Sequence, residues 1–304
     1  MLGGAAWIAL AWPGAAGTLA PWGGAALLIG GALIGVPHGS SDFVVAHRAL
    51  RPSLGLAWLP VFLVGYLAVV ALVLLGWWVA PLPTLLTFII LSALHFGHGD
   101  FDAHERRHGF ALAVRATTPL LPVLLIRPAG VAELIALLGG LDEAAVSRAL
   151  DGLRWPLVSA WAMAVSCFVI PCMIPLGRGP AGTRRRRDAL EIGAIALAAV
   201  ALPPLLAFAL YFCLVHALRH MISIADEYQP CDAWRAAFLV TAIVVPSAAV
   251  CLVALASAWN GIAGSLETTD VLAWSIRLIA ALTIPHMALE AWVQRGRRRF
   301  VADK

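Results

Sequence analysis

Residues 54–78 read LGLAWLPVFLVGYLAVVALVLLGWW, a run without one charged side chain. At 1.5 Å per residue a helix of that length reaches about 37 Å, more than the roughly 30 Å hydrocarbon core of a bilayer. Apolar runs of similar character recur along the whole chain. Of the 304 residues, 61% are hydrophobic and only 12% are charged, against about 25% charged in a typical soluble domain. Mean hydropathy is +0.88. These values exclude a soluble enzyme, a disordered chain and a disulfide scaffold. The sequence predicts an all-α polytopic transmembrane helical bundle, a single membrane domain over residues 1–304.

Working outward from that run, we place spans near Trp22–Val45, Leu54–Trp78, Leu82–His98, Gly109–Ile126, Trp155–Leu176, Ala189–Leu202, Pro204–Ser223, Trp234–Ala258 and Val271–Val293. Leu2–Leu19 is a weaker apolar stretch broken by Pro13 and Gly14. The expectation is about 8–10 spans. Residues 127–154 stand apart. Glu133, Asp142, Glu143, Arg148 and Asp151 punctuate leucines and alanines around Gly139-Gly140. That pattern predicts a short amphipathic interfacial segment, one or two helices joined by a glycine turn, and a solvated loop helix is its plainest form.

The charge balance is slight, 21 Lys+Arg against 17 Asp+Glu, with a sequence pI near 9.0. The basic residues concentrate in short segments, Arg178 with Arg184–Arg187, and Arg295 with Arg297–Arg299. Such clusters mark cytoplasmic loops, so residues 177–187 are expected to form one, and nucleic acid is not expected as a partner. With these segments inside, a crossing must turn at Pro203-Pro204, and Arg48, Arg51, Arg106 and Arg107 also fall inside. The expected location is the cell (inner) membrane. No basic region precedes the N-terminal apolar stretch, so a cleaved signal peptide is not expected. Cys167, Cys172, Cys213, Cys231 and Cys251 form no CxxC pair and read as small core residues.

Ionisable groups inside a bilayer are costly, so each one there calls for a function. His38, His95, His98, His216, His220 and His286 lie within or at the edge of apolar spans. The topology above puts them in the cytoplasmic third of their helices. Neutral imidazoles gathered at one depth suit a transition metal, since imidazole is the commonest protein ligand for such ions. His216 and His220 are four apart, hence about 40° apart around a regular helix. His38 and Asp42 are also four apart, and Asp42 could accept the second ring N–H of a ligating histidine. Pro37 and Gly39 loosen the chain there, which is tolerated at depth only beside protein or a cavity. The motif His98-Gly99-Asp100-Phe101-Asp102 echoes His38-Gly39-Ser40-Ser41-Asp42, so spacing alone leaves His95 and His98 as rival ligands. Asp100 and Asp102 read equally well as supporting acids or loop acids. His47, His104 and His108 lie in basic loops and read as surface residues, and Arg219 faces a headgroup or an acid. An all-imidazole set favours Fe(II), Cu or Zn over Mg or Ca. HExxH, GxSxG and nucleotide-loop motifs are all missing.

The pieces Gly35-Val36-Pro37-His38-Gly39-Ser40-Ser41-Asp42, Leu94-His95-Phe96-Gly97, His216-Ala217-Leu218-Arg219-His220 and Pro285-His286-Met287 resemble the Brp/Blh β-carotene 15,15′-dioxygenases, integral membrane enzymes that form retinal. The resemblance implies that iron, as Fe(2+), is held by His38, His95, His216 and His220, favouring His95 over His98. It adds His286 as a further site histidine, on the metal or on the substrate side. The extra His98 and the Arg184–Arg187 segment are not required by the motifs.

By the same resemblance the substrates are β-carotene and O2. The polyene would enter laterally from the bilayer into an apolar tunnel walled in part by some of the 12 tryptophans and 11 phenylalanines. Cleavage of its central double bond would give two retinal molecules, with positioning and water exclusion as the protein's part. A retinal product would link the protein to a retinal-binding rhodopsin. Cleavage of a different carotenoid is the near alternative. Rivals of other classes are a bis-histidine haem protein, a metal transporter and a di-iron desaturase. The transporter expects inverted repeats and a polar path, and the desaturase expects more tightly clustered histidines.

Overall fold

A computed structural model describes residues 34–99, 109–174, 180–228 and 268–302. Expected spans at 2–19 and 234–258, the first half of that at 22–45, and Asp100, Asp102, His104, His108, Arg178, Cys231 and Cys251 lie outside the described residues. Among the described residues there is no strand. In chain order the helices are α1 (Val36–Ser40), α2 (Asp42–Leu54), α3 (Trp58–Val79), α4 (Pro81–Gly99), α5 (Gly109–Thr117), α6 (Leu121–Leu125), α7 (Ala132–Gly139), α8 (Glu143–Met173), α9 (Pro180–Ala201), α10 (Pro204–Tyr211), α11 (Leu218–Tyr228) and α12 (Thr268–Ala302). A π-helical segment, Phe212–Ala217, joins α10 to α11.

Among the described residues, five stretches are long and apolar enough to cross a membrane: His38–Val79, Pro81–Gly99, Glu143–Met173, Pro204–Asp226 and Ile276–Val293. Their surfaces fit that role. Along α3, Leu63, Val64, Leu67, Leu72, Leu75, Trp78 and Val79 are all exposed, an apolar face no water-soluble monomer would present.

Two expected spans differ. The stretch 109–126 is not one crossing helix but α5 and α6, separated at Thr118-Pro119-Leu120. Pro119 and Pro122 lack the N–H that would continue the ladder. Arg115 is buried in α5, and its guanidinium donates to Asp188 at 3.1 Å. The segment is therefore interior, covered on several sides. Likewise 189–202 is the buried second half of α9, with Ala189, Ile192, Ile195, Ala198 and Leu202 inside. Glu191 interrupts it, and the apolar run that remains, 192–202, is about 16 Å long and too short to span alone. Arg184–Arg187, expected in a loop, are helical and form part of α9. The break at Pro203 before α10 is found where the Pro-Pro pair predicts it.

Residues 127–154 contain the expected glycine turn. Gly140 sits at φ 64° and ends α7, a conformation only glycine adopts cheaply. Asp142 then caps α8, its carboxylate accepting from the Ala145 N–H at 2.8 Å. α8 runs unbroken from that cap to Met173, so the acidic segment and the following span share one helix. α7 buries Ala132, Leu134, Ala136 and Leu138 and packs on α8, which is a docked helix and not a solvated one.

The chain forms two compact units, one including Ile89–His216, the other Gly31–Phe88 with Ala217–Lys304. In the first, α8 packs against α5, α6, α7 and α9, and α9 packs against α10. Arg127 reaches the carbonyls of Leu202 and Ala201, closing the C-terminal end of α9. In the second, α12 packs along α3 and touches α1 and α2, while α11 touches α1. That arrangement brings three helices carrying histidine to one place.

Candidate metal centre

In the second unit, His38 comes from α1, His220 from α11 and His286 from α12. Ser41 stands between α1 and α2, and its N–H and hydroxyl both donate to the His38 carbonyl, at 3.3 and 2.6 Å. Pro37 and Gly39 were expected to loosen the chain here, and the helix is indeed interrupted one residue before Asp42. In α12, Pro285 withholds the N–H that would reach the Ala281 carbonyl. In that opened turn the Leu282 carbonyl takes the Tyr66 hydroxyl of α3 at 2.9 Å. Both histidine positions thus sit at helix irregularities held by side-chain hydrogen bonds.

The three rings converge edge to face. Centroids are 4.5 Å apart for His38 and His220, 4.6 Å for His38 and His286, and 5.2 Å for His220 and His286. One nitrogen from each ring lies within 4.8 Å of the other two. Metal–imidazole bonds of about 2.0–2.1 Å put neighbouring ligand nitrogens roughly 3–4 Å apart, so modest side-chain rotation would close the set on an ion. His38 and His286 are almost wholly buried. Two carboxylates approach from behind: Asp42 Oδ1 stands 2.6 Å from His286 Nδ1, and Glu290 Oε1 stands 3.1 Å from His220 Nδ1. Three imidazoles backed by carboxylates fit a transition metal in donor type and in spacing.

In the first unit, His95 of α4 meets His216 of the π-helical segment, with centroids 4.9 Å apart at 72°. His216 is buried among aromatic rings. Phe96 lies 4.7 Å away, Phe212 stacks at 6.0 Å, and Tyr211 lies at 6.5 Å. His98 instead turns its Nδ1 to the Leu94 carbonyl of its own helix at 2.8 Å, while His95 faces its neighbouring imidazole.

A family model described as beta-carotene 15,15'-dioxygenase matches residues 29–294, a stretch holding all five of these histidines. The chain belongs to the β-carotene 15,15′-dioxygenase family. It is 26% identical over 298 residues to a probable beta-carotene 15,15'-dioxygenase Blh of Halobacterium salinarum, covering 89% of this chain and 84% of that protein. It is 26% identical over 296 residues to a beta-carotene 15,15'-dioxygenase of the uncultured marine bacterium 66A03, covering 91% and 95%. No solved structure matches. The resemblance drawn from the histidine motifs therefore extends over most of the chain, and the protein is a carotenoid-cleaving enzyme of this family.

Asp42 is expected to accept from a histidine of the site, and in this β-carotene 15,15′-dioxygenase family member its partner is His286, 244 positions away and a member of the histidine cluster. Two features depart from the sequence reading. Glu290 beside His220 was missed, although an acid four residues after His286 within an apolar span was a usable signal. His216 lies in π-helix and not in a regular helix, so the 40° angle between His216 and His220 does not apply. His47 is half-buried, with Arg51 at 2.9 Å and its ring edge to face with Trp58. Among the described cysteines no disulfide forms, and Cys213 is buried while Cys167 is exposed.

Proposed function

We propose that this protein cleaves the central 15,15′ double bond of β-carotene with O2 to give two molecules of retinal, using Fe(II) held by His38, His95, His216 and His220. The observation that carries the reading is the convergence of His38, His220 and His286, with one nitrogen of each within 4.8 Å of the others, in a chain of this family. Fe(II), when bound, supplies the redox chemistry that lets O2 react with an otherwise inert alkene.

The protein's own part is positioning and exclusion of water. β-Carotene is wholly apolar and already dissolved in the bilayer, so it enters laterally between helices. Phe96, Phe212 and Tyr211 beside His216 offer apolar ring surface of the kind a polyene packs against. No general base is needed, because neither substrate must lose a proton for the double bond to be cut. His286 stands in the same group as His38 and His220 and belongs to the site. The setting is the cell (inner) membrane with the metal in its cytoplasmic half, and the product would serve a retinal-binding rhodopsin.

Expression in a β-carotene-producing bacterium tests this, with wild type beside His216→Ala and His286→Ala. Wild-type cells should lose colour and accumulate retinal, and His216→Ala cells should stay coloured. Retinal formation in His286→Ala would place His286 outside the essential ligands. Colour persisting in the wild type, with the protein in the membrane and loaded with iron, would remove β-carotene as the substrate.

A further inference from the structure

Asp42 and Glu290 stand behind two of the clustered imidazoles, and the function proposed above assigns neither a role. The Asp42–His286 contact is 2.6 Å between side chains that are 3% and 2% exposed. The Glu290–His220 contact is 3.1 Å, with both side chains about 15% exposed. His286 and Glu290 are four residues apart, so one stretch of α12 supplies a ring to the cluster and a carboxylate to its neighbour. The same α12 ring is held from α2 by Asp42.

A neutral imidazole has one N–H and one lone pair. When the N–H is on Nδ1 and points at a carboxylate, the lone pair is on Nε2, on the far side of the ring. We propose that Asp42 and Glu290 are positioning residues of the metal centre. Asp42 presents Nε2 of His286, Glu290 presents Nε2 of His220, and the two negative charges offset the +2 of the ion. This rests on the metal reading above and deepens it in two ways. His286 becomes a ligand on the same footing as His38 and His220, and the centre as a whole is electrically neutral. The second point matters at membrane depth, where buried carboxylates and a divalent cation are each costly alone and compensate one another together.

A structural role alone, tying α12 to α2 and α11, would need only the hydrogen bonds. Asp42→Asn and Glu290→Gln keep an acceptor oxygen at each place and remove the charge, so they separate the two roles. The full chain is purified in detergent as wild type, Asp42→Asn, Glu290→Gln, the double variant and His220→Ala. Each is stripped with a chelator and titrated with Co(II) as a spectroscopic probe, with circular dichroism as the check on folding. Each single amide variant should bind Co(II) about 10–100-fold more weakly than wild type with a shifted d–d spectrum, and the double variant more weakly again. Co(II) binding by both amide variants within about threefold of wild type, with His220→Ala impaired, would overturn this inference and leave the metal reading standing. A wild type that takes up neither Co(II) nor Fe(II) would overturn both. If Asp42→Asn does not fold, the less buried Glu290→Gln decides alone.

Discussion

Arg115 is 1% exposed, its guanidinium donates to Asp188 at 3.1 Å, and it lies 5.5 Å from the centre of the Phe168 ring. Removing one partner of a buried pair strands the other charge, at about 3–5 kcal/mol. Asp188 retains 22% exposure, which argues for the lower end. Arg115→Ala should therefore destabilise by about 3 kcal/mol in detergent-based unfolding, whereas Arg115→Leu with Asp188→Leu should cost distinctly less. Single residues also show where sequence reading stops. His38, His95, His216, His220 and His286 were legible because an ionisable group in an apolar run needs a reason. Asp42 was legible as the partner of a site histidine, but spacing sees only the local helix and does not say which one. Its real partner depends on how α12 lies against α1 and α2. Nothing in the spacing carries that.

Elements were legible where local chemistry marks them. The glycine turn at Gly140 and the Asp142 cap end α7 and begin α8 where the composition changes. Asp142→Ala should cost about 1 kcal/mol, read as a lowered Tm with membrane insertion unchanged. The split of 109–126 into α5 and α6 was present in Pro119 and Pro122 but hidden by uniform hydropathy. The π-helical segment around His216 has no sequence signal of its own, since it answers to packing. Gly97 follows the same logic. A Cβ there would lie 2.9 Å from the Ala116 Cβ and 3.2 Å from its Cα, and backbone cannot swing aside. Gly97→Ala should cost about 1–3 kcal/mol. By shifting α4 two residues from His95 it should also reduce retinal formation more than it reduces the amount of protein in the membrane.

At the scale of the molecule, five apolar helical stretches and an exposed apolar face along α3 make this a multi-pass membrane protein. It should remain in the membrane pellet through an alkaline carbonate wash and leave it only with detergent. Release by carbonate alone would contradict the spanning assignment. Membership of a family that cleaves β-carotene and a histidine cluster of metal-binding spacing then meet in one chemical claim. The most direct measurement is product stoichiometry from purified protein in lipid nanodiscs, given β-carotene, Fe(II) and O2. The expected result is two retinal molecules per β-carotene consumed, abolished by a chelator and restored by Fe(II). An unequal pair of longer and shorter apocarotenals, or cleavage indifferent to the chelator, would contradict it.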